Sequence, residues 1–122
     1  MVEPSQSKIN KYLKSDKKTY KGLEKENLRS DNEGKISNKP FPSAFGIHNF
    51  NRYVTLDYSE PHLELVTPPF ESNSAALDFL SDLHGFVENN LDGDLLWNYS
   101  MPPKFKSKYI KLPQHRNCNT TK

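Results

Sequence analysis

At 122 residues, with 34% hydrophobic residues and a mean hydropathy of −0.86, the chain fits one small domain with a modest core. A chain of this size buries roughly two-thirds of its unfolded surface. No apolar run approaches the ~18 residues of a membrane span, and Met1-Val2-Glu3-Pro4-Ser5-Gln6-Ser7-Lys8 lacks the apolar stretch of a secretory signal. Membrane and exported classes are therefore set aside, and a cytoplasmic protein is expected.

The net charge of +2 conceals a segregation. Residues 1–40 carry ten Lys/Arg against six Asp/Glu, and residues 41–103 carry Arg52 alone against nine acids. Residues 104–122 carry six basic residues and no acid. The acidic middle favours a cation over an anion. The basic tail has Phe105 and Tyr109 as its aromatics and no recognisable module, which argues against a nucleic-acid partner. The single cysteine, Cys118, excludes an internal disulfide and suits a reducing compartment. With His115 the one base nearby, no catalytic thiol is assigned to it.

In chain order, residues 1–20 form a polar, lysine-rich segment. Ile9, Tyr12 and Leu13 permit a short amphipathic helix over Ser5–Lys14. Gly22-Leu23-Glu24-Lys25-Glu26-Asn27-Leu28-Arg29 reads as a strand. On a strand, Glu24 and Glu26 point to one face about 7 Å apart; on a helix, residues two apart do not face each other. The plain alternative is a solvated edge interleaved with Lys25 and Arg29. Ser30-Asp31-Asn32-Glu33-Gly34 is a turn signal, with Gly34 free to take positive φ, and Lys35-Ile36-Ser37 then reads as the second arm of a hairpin. Residues 39–46 form a loop punctuated by Pro and Gly that leads through His48, Phe50 and Tyr53.

The stretch Thr55-Leu56-Asp57-Tyr58-Ser59-Glu60-Pro61-His62-Leu63-Glu64-Leu65-Val66-Thr67-Pro68 places three carboxylates and a histidine in an otherwise apolar strand. His62, Glu64 and Val66 share one face, and Leu63 and Leu65 the other. Pro61 donates to no ladder, so a bend or break is expected near it. A carboxylate among core residues is costly unless a cation or donors compensate it; charged residues are mostly exposed, so a solvated acidic face is the plain alternative. After Pro68-Pro69, Ser72 or Ser74 can cap a helix. Ala76, Leu80, Leu83, Val87 and Leu91 recur at helical spacing, widened by Leu77, Phe79 and Phe86. This predicts an amphipathic helix from Asn73 to Leu91, ended by Asp92-Gly93, with His84 structural. Trp97 to Pro103 reads as an irregular connection.

Two segments then resemble one family. Gly22 to Arg29 resembles the G-L-E-x-E-x-L-R segment of proteobacterial-type glutamate–cysteine ligases, and Asp57 to Pro68 resembles that family's D-(F/Y)-x-E-x-x-L-E-(F/L)-(I/V)-T-P strand. Asp82-Leu83-His84, Trp97, Ser100-Met101-Pro102, Gln114 and Asn119-Thr120 match later family segments in order. The resemblance runs from Lys21 to the end.

It implies an α+β fold, part of a glutamine-synthetase-like curved antiparallel sheet with an amphipathic helix outside. It also implies ATP-dependent joining of the γ-carboxylate of L-glutamate to the amine of L-cysteine through a γ-glutamyl phosphate, the first step of glutathione biosynthesis. Mg2+, with Mn2+ as a substitute, would neutralise the phosphate oxygens. By motif position, Glu24, Glu26, Asp57 and Glu64 are the implied metal ligands and Tyr58 the implied substrate-binding residue. No catalytic residue is assigned, and Glu60 and His62 receive no ligand role.

Hard carboxylate oxygens suit Mg2+, which agrees with the independent reading of these residues. Family members are several times longer, and their later histidine, glutamate and basic site residues have no counterpart here. An N-terminal part of such a catalytic domain, monomeric and inactive by itself, is therefore expected. A non-catalytic divalent-cation or partner-binding module is the main alternative, and a basic nucleic-acid binder working through residues 104–122 ranks behind it.

Overall fold

The computed structural model describes residues 6–13, 18–46, 51–106 and 110. Expectations placed on His48, Phe50, Tyr109, Gln114, His115, Cys118, Asn119 and Thr120 lie outside the described residues. A first helix, α1, covers Gln6–Leu13, within the range expected for it. The sheet is built from β1 (Glu24–Ser30), β2 (Val54–Leu56), β3 (His62–Val66) and β4 (Leu95–Leu96). Its order is β2-β3-β1-β4, and all three pairings are antiparallel. The second helix, α2 (Asn73–Glu88), packs on one face. The architecture is thus α+β, with an antiparallel sheet and an outer helix, as expected.

Period-two alternation explains the division of β3. Leu63 and Leu65 are fully buried, while His62, Glu64 and Val66 are partly exposed. On β2 the β-branched Val54 and then Leu56 turn the same way as the two leucines. These four meet Leu83 and Val87 of α2, with Phe45, Leu91 and Leu96 closing the cluster. Burying Leu65 and Val54 in this way contributes roughly 1.5–3 kcal/mol per side chain.

The acidic stretch is two strands rather than one bent segment. Asp57 to Pro61 reverses the chain, closed by bonds from the His62 amide to the Ser59 carbonyl (2.8 Å) and from the Asp57 amide to the His62 carbonyl (3.1 Å). Pro61, which has no amide hydrogen, lies in the turn and accepts at its carbonyl from the Arg29 amide (2.7 Å).

The hairpin expected after β1 forms over a short arm: Ile36 bridges Ser30, the Asp31 amide donates to the Lys35 carbonyl (2.8 Å) and the Ser37 amide to the Arg29 carbonyl (2.9 Å). The arm goes no farther because β1 from Glu24 to Leu28 is paired to β3. The turn itself forms: the Asp31 side chain accepts from the Glu33 and Lys35 amides, each at 2.9 Å, and Gly34 takes φ 73°. Ile36 and Gly34 then bond to Lys104, so the polypeptide near the start of the basic tail lies beside this turn.

Helix α2 starts where expected, with Ser72 Oγ accepting from the Ala75 amide (3.4 Å). It stops at Glu88, short of Leu91. The side-chain amides of Asn89 and Asn90 donate to the carbonyls of Gly85 and Phe86 (2.8 Å each), taking up acceptors that the last turn leaves free. Leu91 remains in the core beyond the helix, and Asp92 and Gly93 make the turn with positive φ. Leu77, expected on the apolar stripe, is instead 59% exposed.

A buried ion pair locks the far end of the sheet. Arg29 Nη1 donates to Asp94 Oδ2 (3.1 Å), and Nη2 donates to the carbonyls of Lys39 and Glu60 (2.8 Å each). Asp94 also accepts from the Ser37 hydroxyl and lies 3.1 Å from Lys39 Nζ. Burial pulls the Arg29 guanidinium pKa down, while Asp94, Glu60 and Asp92 oppose that effect.

Candidate metal centre on the open sheet face

The face of the sheet away from α2 carries the acids. In the β1–β3 register Glu26 stands opposite Glu64, Glu24 opposite Val66 and Leu28 opposite His62. On the other side of β3, Thr55 stands opposite Glu64. Antiparallel partners point to the same side, so Glu24, Glu26, His62 and Glu64 share one face. Asp57, one residue beyond β2, is brought to that face by the turn, where its carboxylate meets His62. The structure therefore places all four carboxylates singled out in the sequence on one face, where Glu26 and Asp57 converge with His62 within 4.8 Å. Tyr58 is 71% exposed in the same turn.

Like charges directly opposite each other destabilise a strand pair, and Glu26 against Glu64 is such a pair. Among the described residues, no lysine or arginine forms an ion pair with any of the four. Glu64 records the consequence. Its pKa is raised, first by burial and then by Glu24, Asp57 and Glu26, with His62 the one opposing influence. A face that raises the proton affinity of its central carboxylate is one that a divalent cation would relieve. The donor set is hard oxygen, the type that Mg2+ and Ca2+ take. The residues present fit such an ion.

His62 is the member that sequence reasoning set aside. Its Nε2 lies 3.3 Å from Glu26 Oε2 and its Nδ1 3.4 Å from Asp57 Oδ2. The signal was visible in part, because His62 alternates with Glu64 along the strand. Its position between Glu26 and Asp57 depends on pairings from two other strands. Glu60 has a different job: its carboxylate accepts from the Phe41 amide (3.0 Å) and anchors the loop before β2.

Beside the acids lies an open hollow of about 300 Å³, lined by Glu26, Asn27, Leu28, His62, Trp97, Tyr99, Ser100, Met101 and Pro102. Trp97 and Tyr99 stack at 5.0 Å between ring centres, and Trp97 Nε1 donates to the Met101 carbonyl (2.6 Å). Asn27 Nδ2 donates to the Trp97 carbonyl (3.1 Å), joining the aromatic wall to β1. In the sequence this stretch read as an irregular connection, with Trp97 and Ser100-Met101-Pro102 matching family segments.

Residues 5–122 match the family model described as glutamate-cysteine ligase. The chain is 44% identical over 119 residues to the glutamate–cysteine ligase of Wigglesworthia glossinidia brevipalpis, covering 93% of this chain and 24% of that protein. Its fold resembles the crystal structure of the Francisella tularensis glutamate–cysteine ligase in complex with AMP, with a TM-score of 0.71 and 32% identity over 75% of this chain and 18% of that one. It also resembles a bifunctional glutathione synthetase from Pasteurella multocida, with a TM-score of 0.72 and 33% identity over 80% of this chain and 13% of the other. The chain spans about a quarter of the Wigglesworthia protein's length.

Proposed function

Because the chain belongs to the glutamate–cysteine ligase family, we propose that its open sheet face is the metal-holding wall of a site that joins L-glutamate to L-cysteine with ATP, the first step of glutathione biosynthesis. The observation that carries this reading is the register that sets Glu26 opposite Glu64, with Glu24 and Asp57 on the same side and no lysine or arginine ion-paired to them among the described residues. The AMP bound to the Francisella relative supports an adenine nucleotide as co-substrate.

In this reading Glu24, Glu26, Asp57 and Glu64 hold Mg2+, with Mn2+ as a substitute. The ion, when bound, supplies positive charge against the phosphate oxygens of ATP. The chain's own residues do the rest of the work on this wall. The β1–β3 register sets Glu24, Glu26 and Glu64 on one face of the sheet, so their backbone positions are in place before any ligand arrives. Tyr58, on the exposed turn next to Asp57, contributes to the pocket for cysteine. The setting is cytoplasmic, consistent with the biosynthetic family and with the absence, among the described residues, of a helix long and apolar enough to cross a membrane. The partners are small molecules, with neither nucleic acid nor membrane, and the protein acts as a monomer. The 122-residue chain alone is expected to make no γ-glutamylcysteine.

The test is a chimera in which this chain replaces the matched stretch of the Wigglesworthia enzyme. Phosphate release dependent on glutamate, cysteine and ATP is expected from the chimera, with a loss of about 100-fold or more on Glu26→Gln, as for removal of a charge-stabilising group. A chimera that folds and binds Mg2+ but turns over nothing would favour a non-catalytic cation-binding module. Full activity with Glu26→Gln would remove the assignment.

A further inference from the structure

Two successive carbonyls of the turn from Asp57 to Pro61 end on one residue of β1. Arg29 Nη2 donates to the Glu60 carbonyl (2.8 Å), and the Arg29 amide donates to the Pro61 carbonyl (2.7 Å). The same Nη2 donates to the Lys39 carbonyl (2.8 Å), and the Glu60 carboxylate accepts from the Phe41 amide (3.0 Å). The loop before β2 is thus tied to the same point. The second terminal nitrogen, Nη1, donates to Asp94 Oδ2 (3.1 Å). Asp94 stands just before β4, and beyond β4 the Trp97 amide donates to the Leu28 carbonyl (2.8 Å). The turn that carries Asp57 and Tyr58 and the segment that carries Trp97 therefore meet at one fully buried side chain.

A buried ion pair is a poor source of stability. Desolvation offsets much of its Coulombic gain, and apolar residues of like volume are often as good or better. At Arg29 desolvation is the largest influence on the pKa and lowers it. What the pair does supply is direction, because a planar fork reaches several acceptors at set angles that a lysine does not reproduce. Asp57 and Tyr58 are themselves exposed, so the backbone of the turn, rather than packing of their side chains, decides where they stand.

We infer that Arg29 is a positioning residue of the proposed ligase site: its fork, aimed by Asp94, sets the turn that presents Asp57 and Tyr58. The inference rests on the reading of those two as site residues. Arg29, fully buried, acts through the turn rather than on a ligand.

Arg29→Lys keeps the charge opposite Asp94 and removes the fork. Amide hydrogen exchange of the full 122-residue chain is followed with and without this change. The His62 amide, on the Ser59 carbonyl, and the Asp57 amide, on the His62 carbonyl, report the turn; the Val66 amide, on the Tyr53 carbonyl, reports the sheet. Protection of the two turn amides is expected to fall about tenfold or more relative to Val66, the scale of one charge-assisted hydrogen bond. Equal loss at all three would make Arg29 a general stabiliser and overturn the inference. If Arg29→Lys does not fold, the unaltered chain decides. Its Arg29, Asp57 and His62 amides should open as one unit, with protection alike within about threefold. Turn amides protected about tenfold less than the Arg29 amide would overturn the inference. In the Wigglesworthia chimera, Arg29→Lys is expected to raise KM for cysteine about tenfold with KM for glutamate little changed, a split that a smaller folded fraction does not produce. A lower kcat with both KM values unchanged would again overturn it. An unaltered chimera that turns over nothing overturns the ligase reading instead, and the exchange result still decides whether Arg29 sets the turn.

Discussion

The two faces of the sheet are written in the same five residues of β3, yet they obey opposite rules. Leu63 and Leu65 point at α2 and are fully buried. His62 and Glu64, from alternate positions, point to the opposite face, where they are only partly buried. The first face is satisfied by packing alone. The second gathers like charges across the β1–β3 ladder and has one imidazole between two of them. Packing therefore resides on one side of this sheet, and uncompensated like charge on the other.

This division is open to direct attack. The largest loss is expected at the locked end of the sheet, where Asp94→Ala would strand the buried Arg29 guanidinium. Removing one partner of a buried pair costs about 3–5 kcal/mol, and the urea midpoint should fall accordingly. On the packed face, Leu65→Ala should cost roughly 2–5 kcal/mol by leaving a cavity against α2. If it costs less than Glu64→Gln, the assignment of the two faces is wrong.

On the open face the sign reverses. In metal-free buffer near neutral pH, Glu64→Gln should stabilise the chain by about 0.2–1 kcal/mol, the scale of a like-charge pair across strands. The pH dependence follows from the raised pKa of Glu64. The folded chain holds the proton more tightly than the unfolded one, so the repulsive penalty is absent below the ordinary carboxylate value of 4.5. It grows as pH rises through that value and is complete above the raised folded value. The gap in stability between Glu64→Gln and the unaltered chain should widen over that interval and then level off. A gap that is constant with pH would mean that Glu64 is not under electrostatic load.

Much of this contrast was legible in the sequence. The alternation His62-Leu63-Glu64-Leu65-Val66 assigns each residue to a face before any partner strand is known, because successive side chains on a strand point opposite ways. The same logic put Glu24 and Glu26 together, and the spacing of Ala76, Leu80, Leu83 and Val87 placed the helix. Local rules reached no further. The hairpin expected after Arg29 formed, but its second arm is short because β3 had taken the rest of β1. The end of α2 was missed because Asn89 and Asn90 cap it with side-chain bonds that apolar periodicity does not see.

Arg29 could have been a surface charge on the strength of its position beside Leu28. It is buried because Asp94, far along the chain, comes back to meet it. The sequence by itself determined which residues could share a face, since that is a property of backbone period. Only the tertiary structure decided which strands lie side by side, and hence that Glu26 faces Glu64 and that His62 stands between Glu26 and Asp57. Register between strands is set by contacts distant in the chain, to which the local pattern of side chains is blind.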